Sequence, residues 1–433
     1  MSKSNFFGGL IKTNPTLPTA NSSSAYGTAS GVWNLEEAAA FRKAGDWPVP
    51  ASPPGAPTIT SATAGNESAT VAFNANADNG GLNVTSFTAT ASSGETASGS
   101  SSPLTITGLT NGTAITITVT ATNPSGTSAA SSASDSITPA LAARGLFAGG
   151  RDQHNQYDIV DYITISSTGN AQDFGDLSQY KYQAFGVGSE TRGITAGGRR
   201  DSSNLNVIEY FTFLSTGNAT DFGDLTVAGY LGGATCNNTR GVFAAGLSRS
   251  NTMDYVTIAS TGNASDFGDY AYSVYGLNLG VASSTTRGLF HGGYKSGTDY
   301  ETQIEYITIG TTGNTTDFGD ATVTAYARGA VASPTRAVFA GDFYVPANIM
   351  DYVTIASTGD ATDFGDLSGN RAMLTGVSSK TRGVYGGGRS SNTNYGLDIM
   401  EYITIGSTGN TTDFGDLTQA RESPAGMCVF QGE

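Results

Sequence analysis

Few side chains in this sequence can carry chemistry. Its 433 residues include only two histidines, two cysteines and two tryptophans, and 13% of residues are charged. His154 and His291 fall in different repeats of the pattern described below, without a cysteine or repeated acid beside them. Loop or surface positions are expected for both, and neither marks a catalytic base or a metal centre. Cys236 and Cys428 occupy separate, non-adjacent repeats, which argues against a disulfide. Lysine and arginine total 21 against 36 acids, a net charge of −15 with no basic stripe, so nucleic acid is not an expected partner. No apolar run is long enough to insert in a bilayer, and a secretory leader's charged and apolar segments are missing. Nucleophile-elbow, zinc and phosphate-loop motifs are absent, so no catalytic residue, cofactor or metal is expected.

What is present is a phrase repeated six times, T-G-[ND]-x-x-D-F-G-D. Its last four residues fall at Asp173–Asp176, Asp221–Asp224, Asp266–Asp269, Asp317–Asp320, Asp363–Asp366 and Asp413–Asp416, at spacings of 48, 45, 51, 46 and 50 residues. A period of this size fits a four-stranded propeller blade. Each repeat reads as a small-residue strand A (Gly376–Ser379), a strand B opened by arginine (Arg382–Gly386), an acid-Tyr strand C (Glu401–Ile405) and a strand D at Phe-Gly-Asp. The small side chains of strand A suit the crowded inner position of a blade.

The ends of the repeat region bear on closure. The first repeat begins at strand B, with Arg144, and lacks a strand A; the last runs on past Arg421 into Gly426–Phe430, in register with the strand A that follows Arg371. The C-terminus should therefore supply the missing inner strand and close a ring of six blades. The double glycine and arginine of each repeat resemble kelch repeats, with phenylalanine where kelch blades usually carry tryptophan. The expected fold is all-β, with a six-bladed kelch-like β-propeller over 140–433.

Residues 55–139 hold four acids and no base, and read as short alternating strands. The run Pro103–Leu109 with Asn111-Gly112-Thr113 and Asn123–Ser128 resembles a fibronectin type III domain, with Phe73 where a tryptophan is usual and Ile115 where a tyrosine is common. Such a domain is expected to serve as a spacer. Residues 1–54 read as a mostly extended anchor with one short helix, N-capped by Asn34 with Glu37 completing the capping box and stopped by Gly45. Phe6, Phe7, Trp33, Phe41 and Trp47 give it more aromatic surface than about fifty residues can bury alone, so it is expected to order on a partner.

Ser30–Glu37 through Asp46-Trp47-Pro48, the fibronectin-like stretch and the Tyr-Val-Thr-Ile-Ala-Ser-Thr-Gly-Asn repeats together resemble virion structural proteins of marine tailed phages, especially those of cyanobacteria. The resemblance implies a tail-fibre or attachment-type protein, present in several copies. It would be made in the host cytoplasm, released by lysis, and docked on other virion proteins through the N-terminal segment.

Two sets of polar residues remain. The arginines opening strand B (Arg144, Arg192, Arg240, Arg287, Arg336 and Arg382) lie near the repeated acids, and a ring of arginine–carboxylate pairs is expected. The acidic turns offer hard oxygens, but not at a known calcium-loop spacing. The B–C and D–A connections share the opposite face and hold everything that varies. Tyr157, Arg200, Arg249, Tyr294, Tyr300, Phe343, Tyr344, Arg389 and Tyr395 lie there, aromatics and charges suited to stacking on and bonding a sugar. A host-surface glycan is the expected ligand. The alternatives are a passive capsid or tail connector without a ligand, or a glycan hydrolase using non-repeated acids such as Asp201 or Asp342.

Overall fold

A computed structural model of the chain describes residues 51–139, 143–230, 232–244, 251–271, 280–293, 302–343, 348–390 and 396–428. Over these residues the protein is all-β. The expected helix and the aromatic residues Phe6, Phe7, Trp33, Phe41 and Trp47 lie outside them. Two compact units divide the chain, Met1–Leu141 and Ala142–Glu433.

In the first unit a three-stranded antiparallel sheet (Thr58–Gly65, Ser68–Asn74, Leu104–Thr107) and a four-stranded one (Thr96–Gly99, Ser86–Ala91, Ile117–Asn123, Gly126–Thr127) share one core. Alternation puts Val71, Phe73, Phe87, Ile106, Ile117 and Val119 in that core, with the Phe73 and Phe87 rings 4.9 Å apart. Ile115, buried at 3% exposure, bridges to Ile137. Beyond Thr127 the chain continues along Ile117–Asn123 by a side-chain device. Ser128, Ser131 and Ser134 each donate their N–H to a carbonyl of that strand and accept one of its N–H groups on Oγ. A period of three replaces a period of two, which ends the sheet without an open ladder.

In the second unit the described residues form six four-stranded antiparallel sheets, called I to VI. In sheet II the strands A to D are Phe185–Gly188, Arg192–Ala196, Val207–Thr212 and Thr220–Asp224, and sheets III to VI repeat that order. Sheet I is completed from the far end of the chain. Ala425–Cys428 pairs with Arg144–Ala148, Met427 opposite Leu146, at the place the repeat register predicts. Each strand A neighbours the strand A of the next sheet, and the succession I, II, III, IV, V, VI returns to I.

Strand D explains the repeated phrase. In every sheet its pairing with strand C shifts register at Phe-Gly, an extra residue that turns the phenylalanine inward. Phe174, Phe222, Phe267, Phe318, Phe364 and Phe414 are 2–3% exposed. Phe364, for example, packs with Ile403 and Ile405 of the next sheet. Acids on the solvent side of these outer strands (Asp173 and its equivalents) charge the free edges.

Candidate functional site

The end of the sheets that carries the repeated turns is occupied with holding neighbours together. Each strand-B arginine lies 4.2–5.0 Å over the strand-C tyrosine of its own sheet, as Arg336 does over Tyr352. The same guanidinium donates to a carbonyl at the end of strand C in the next sheet. Arg144 reaches Phe213 O (2.6 Å), and Arg382 closes the cycle on Ile165 O and Ser166 O. The expected arginine–carboxylate ring is thus replaced by stacking and carbonyl contacts, because the nearest acceptors are backbone groups of the adjacent sheet. In each T-G-[ND] turn the Asn or Asp side chain accepts the N–H of the last Asp of the previous sheet's phrase, at 3.0–3.1 Å. The phrase's glycine is equally constrained: a Cβ on Gly175 would sit 2.4 Å from Gly217 O.

A second repeated feature escaped the sequence reading. The acid before each strand-C tyrosine is buried, and in four sheets it meets a cation from the D–A loop: Arg421–Asp161, Lys181–Glu209, Arg328–Asp351 and Arg371–Glu401, at 2.7–3.0 Å. All eight side chains are at most 4% exposed. Burial lowers the Lys181 pKa; burial alone would raise that of Glu209, but Lys181 and the Ser178 hydrogen bonds hold it below its usual value. Asp351 is likewise held low against burial by Arg328 and Thr322. Sheet III differs. Asp254 accepts hydrogen bonds from the N–H and hydroxyl of Thr226, has no ion pair among the described residues, and burial raises its pKa.

His291 is a correction to the expected surface position. It ends strand B of sheet IV with 0% exposure, where four other sheets carry alanine, tilted against Phe339 and with Nδ1 3.5 Å from Arg328 Nη1. Burial, then repulsion from Arg328, pushes its pKa down to about 3. A neutral imidazole beside a paired guanidinium is a packing element. His154 is exposed in the Asp152–Tyr157 loop, its N–H donating to Asp152.

Of the predicted ligand-binding residues, Arg249, Tyr294, Tyr300, Tyr344 and Tyr395 lie outside the described residues. The other four are drawn into contacts at the variable end. Tyr157 donates to Asp152; Arg200 Nη1 donates to Gln179 Oε1 (2.6 Å); Arg389 lies 5.2 Å over Phe343 and 3.9 Å from Glu422. The loops of sheets I and II join into one surface. Gln156 and Asp201 bond each other twice across the two sheets, Tyr180 donates to Asp201, and Arg199 stacks on Tyr230. Tyr180 keeps 40% of its surface exposed. Tyr180, Gln179 and Gln156, which were not singled out from sequence, complete this surface with Asp201, named there only as a non-repeated acid. Their signal was position in the varying connections.

A cavity of about 140 Å³ is lined by all six strands A, and a second of about 70 Å³ lies at the repeated-turn end. The fourth residues of strands A in sheets I to VI are Cys428, Gly188, Cys236, Ser283, Ala332 and Ser378. These inner strands have one edge without a sheet partner, and side chains supply bonds to it. Gly188 N–H donates to Cys236 Sγ (3.4 Å), the Cys236 thiol to Gly188 O (3.2 Å), and Ala332 N–H to Ser378 Oγ (3.3 Å). Burial pushes the Cys236 thiol up to about 12 and also raises that of Cys428. Among the described residues no group of three or more His, Cys, Asp or Glu side chains is placed to hold a metal.

No protein-family model matches the chain, and no curated protein matches it.

Proposed function

We propose that the chain is a phage virion protein that attaches to host-surface glycan through the variable end of a six-bladed, kelch-like β-propeller. In this reading 140–433 is the propeller, 55–139 a fibronectin type III-like spacer, and 1–54 the segment that docks on other virion proteins. The virion assignment rests on the sequence resemblance. The propeller reading is supported by six equivalent sheets, by inner strands that neighbour one another in a cycle, and by the C-terminal strand in sheet I.

The observation that carries the glycan reading is the contrast between the two ends. At the repeated-turn end, arginines, asparagines and glycines are committed to sheet–sheet contacts. At the variable end, amides, carboxylates and a half-exposed tyrosine form a cross-sheet surface in Gln156, Gln179, Asp201 and Tyr180. Planar polar groups with an accessible aromatic face suit hydroxyl-rich rings. The chain enters sheet I at Arg144, at the repeated-turn end, so the variable loops lie at the far end from its entry. Binding, not catalysis, is the role assigned.

One observation favours a passive connector instead: Tyr157, Arg200 and Arg389 are already engaged by Asp152, Gln179 and Glu422. A glycan array probed with the full chain separates the two. Saturable binding to a defined set of glycans, reduced at least about tenfold by Tyr180→Ala, supports attachment. A blank array, with the chain still incorporated into virions, supports the connector.

A further inference from the structure

The variable-end joint of sheets I and II has a surplus of hydrogen-bond donors. Its three loops, residues 149–158, 177–184 and 197–206, carry Arg151, Arg199 and Arg200 beside the buried Lys181–Glu209 pair. Arg151 lies 4.3 Å over the ring of Tyr182, and Arg199 lies 4.9 Å over that of Tyr230. The backbone of Tyr182 is paired both ways with Arg199, and that of Arg151 bridges to Gln156. Gln156 bonds Asp201, whose carbonyl accepts Arg199 Nε, and Arg200 bonds Gln179. The three arginines thus belong to one hydrogen-bonded patch with Gln156, Gln179, Tyr180 and Asp201. Two of the three acids in these loops are filled. Asp201 accepts from Gln156 and Tyr180, and Asp152 from the N–H groups of His154 and Asn155 and from Tyr157. The third, Asp158, stands apart beside Asp176 of the outer strand. Glu422, which accepts Arg151 Nε, is 4% exposed. The cations are not filled. Among the described residues, Arg151 Nη1 and Nη2, Arg199 Nη2, and Arg200 Nε and Nη2 have no acceptor. Arg151 keeps 33% of its side chain exposed, and Arg200 is exposed.

We propose that the glycan recognised at this joint is acidic, a sugar whose carboxylate or sulfate oxygens take the spare donors of Arg151, Arg199 and Arg200. The inference rests on the attachment reading above and names the ligand class for the same surface. A patch whose acceptors are occupied and whose donors are in excess is completed by a ligand that brings acceptors. Guanidinium groups present those donors as a planar fork, which matches carboxylate and sulfate in pairs of parallel bonds. Stacking on Tyr182 and Tyr230 fixes the planes of Arg151 and Arg199 before a ligand arrives, which lowers the ordering cost of binding. The exposed ring of Tyr180 offers the sugar an apolar face beside the charged group.

The test is binding of the full chain to matched pairs of immobilised oligosaccharides. One pair is an oligoglucuronate and its carboxyl-reduced form; the other is a sulfated galactan oligosaccharide and its desulfated form. The acidic member of at least one pair should bind at least about tenfold tighter than its neutral partner, the size of one charge-assisted hydrogen bond. The pair that responds tells carboxylate from sulfate. Arg200→Gln, at an exposed side chain, should weaken binding of the acidic member about tenfold with near-UV circular dichroism unchanged. Arg200→Lys, which keeps the charge without the planar fork, should recover part of that loss. Equal binding of both members of every pair would overturn the inference while leaving attachment standing. So would a preference that persists when Arg151→Gln and Arg200→Gln are combined in one chain. Saturable binding to no member of either pair would remove the attachment reading and this inference with it.

Discussion

Asp351→Asn and Asp254→Asn make the same chemical change at equivalent positions of two sheets, yet should differ widely in cost. Asp351 is 0% exposed and holds Arg328, also fully buried, at 2.8 Å. Neutralising it leaves the guanidinium charge with only neutral acceptors, the amide oxygen, the carbonyls of Gly341, Phe339 and Ile349 and His291 Nδ1, in a site closed to water. Removing one partner of a buried pair costs about 3–5 kcal/mol, most of it the desolvation of the charge left behind. Among the described residues Asp254 has no such cation, and its bonds there come from Thr226. An asparagine can accept the Thr226 N–H and, with the hydroxyl rotated, donate to Oγ1, so the cost should stay below about 1 kcal/mol. The raised pKa of Asp254 means that its ionisation opposes folding, and the variant should gain on the parent as pH rises through that pKa. Urea unfolding at neutral pH, read by tyrosine near-UV circular dichroism, isolates the second unit: 19 of the 20 tyrosines follow residue 142, whereas both tryptophans precede residue 48. Equal losses in the two variants would refute the assignment of the pair as a buried, mutually dependent unit.

Phe364→Ala should cost about 3–5 kcal/mol, measured as a fall in urea midpoint at constant slope, because the ring is buried against the next sheet. His291 stays neutral in the folded chain down to about pH 3, while the unfolded chain takes up a proton near 6.5. Stability from this residue is therefore complete above 6.5 and lost on acidification, by about 1.4 kcal/mol per pH unit. His291→Ala should remove that slope between pH 6 and 4.5 in unfolding titrations, and an unchanged slope would place the proton uptake elsewhere.

The repeat count, the strand order and the C-terminal strand in sheet I were legible because they depend on register, which a sequence displays directly. The burial of the six phenylalanines followed from the same register. Partners were harder to read. Arg144 and its equivalents were assigned to carboxylates because only side chains are visible in a sequence, whereas their acceptors are backbone carbonyls such as Phe213 O. The buried acid–cation pairs were obscured by an unfixed cation position. Lys181, Arg371 and Arg421 stand four residues before strand A, but Arg328 immediately precedes it, and sheet III has a glycine, Gly229, at the first of these positions. His291 sits at the end of a strand and reads as the start of a loop.

The central claim is attachment through the variable end, and binding of the labelled full chain to host cells tests it most directly. The parent should bind marine cyanobacterial cells saturably, and Gln179→Ala with Tyr180→Ala should reduce binding at least about tenfold. Asp363→Asn, on an outer strand, should bind like the parent. Absence of saturable binding, or equal binding by the double variant and the parent, would contradict the account.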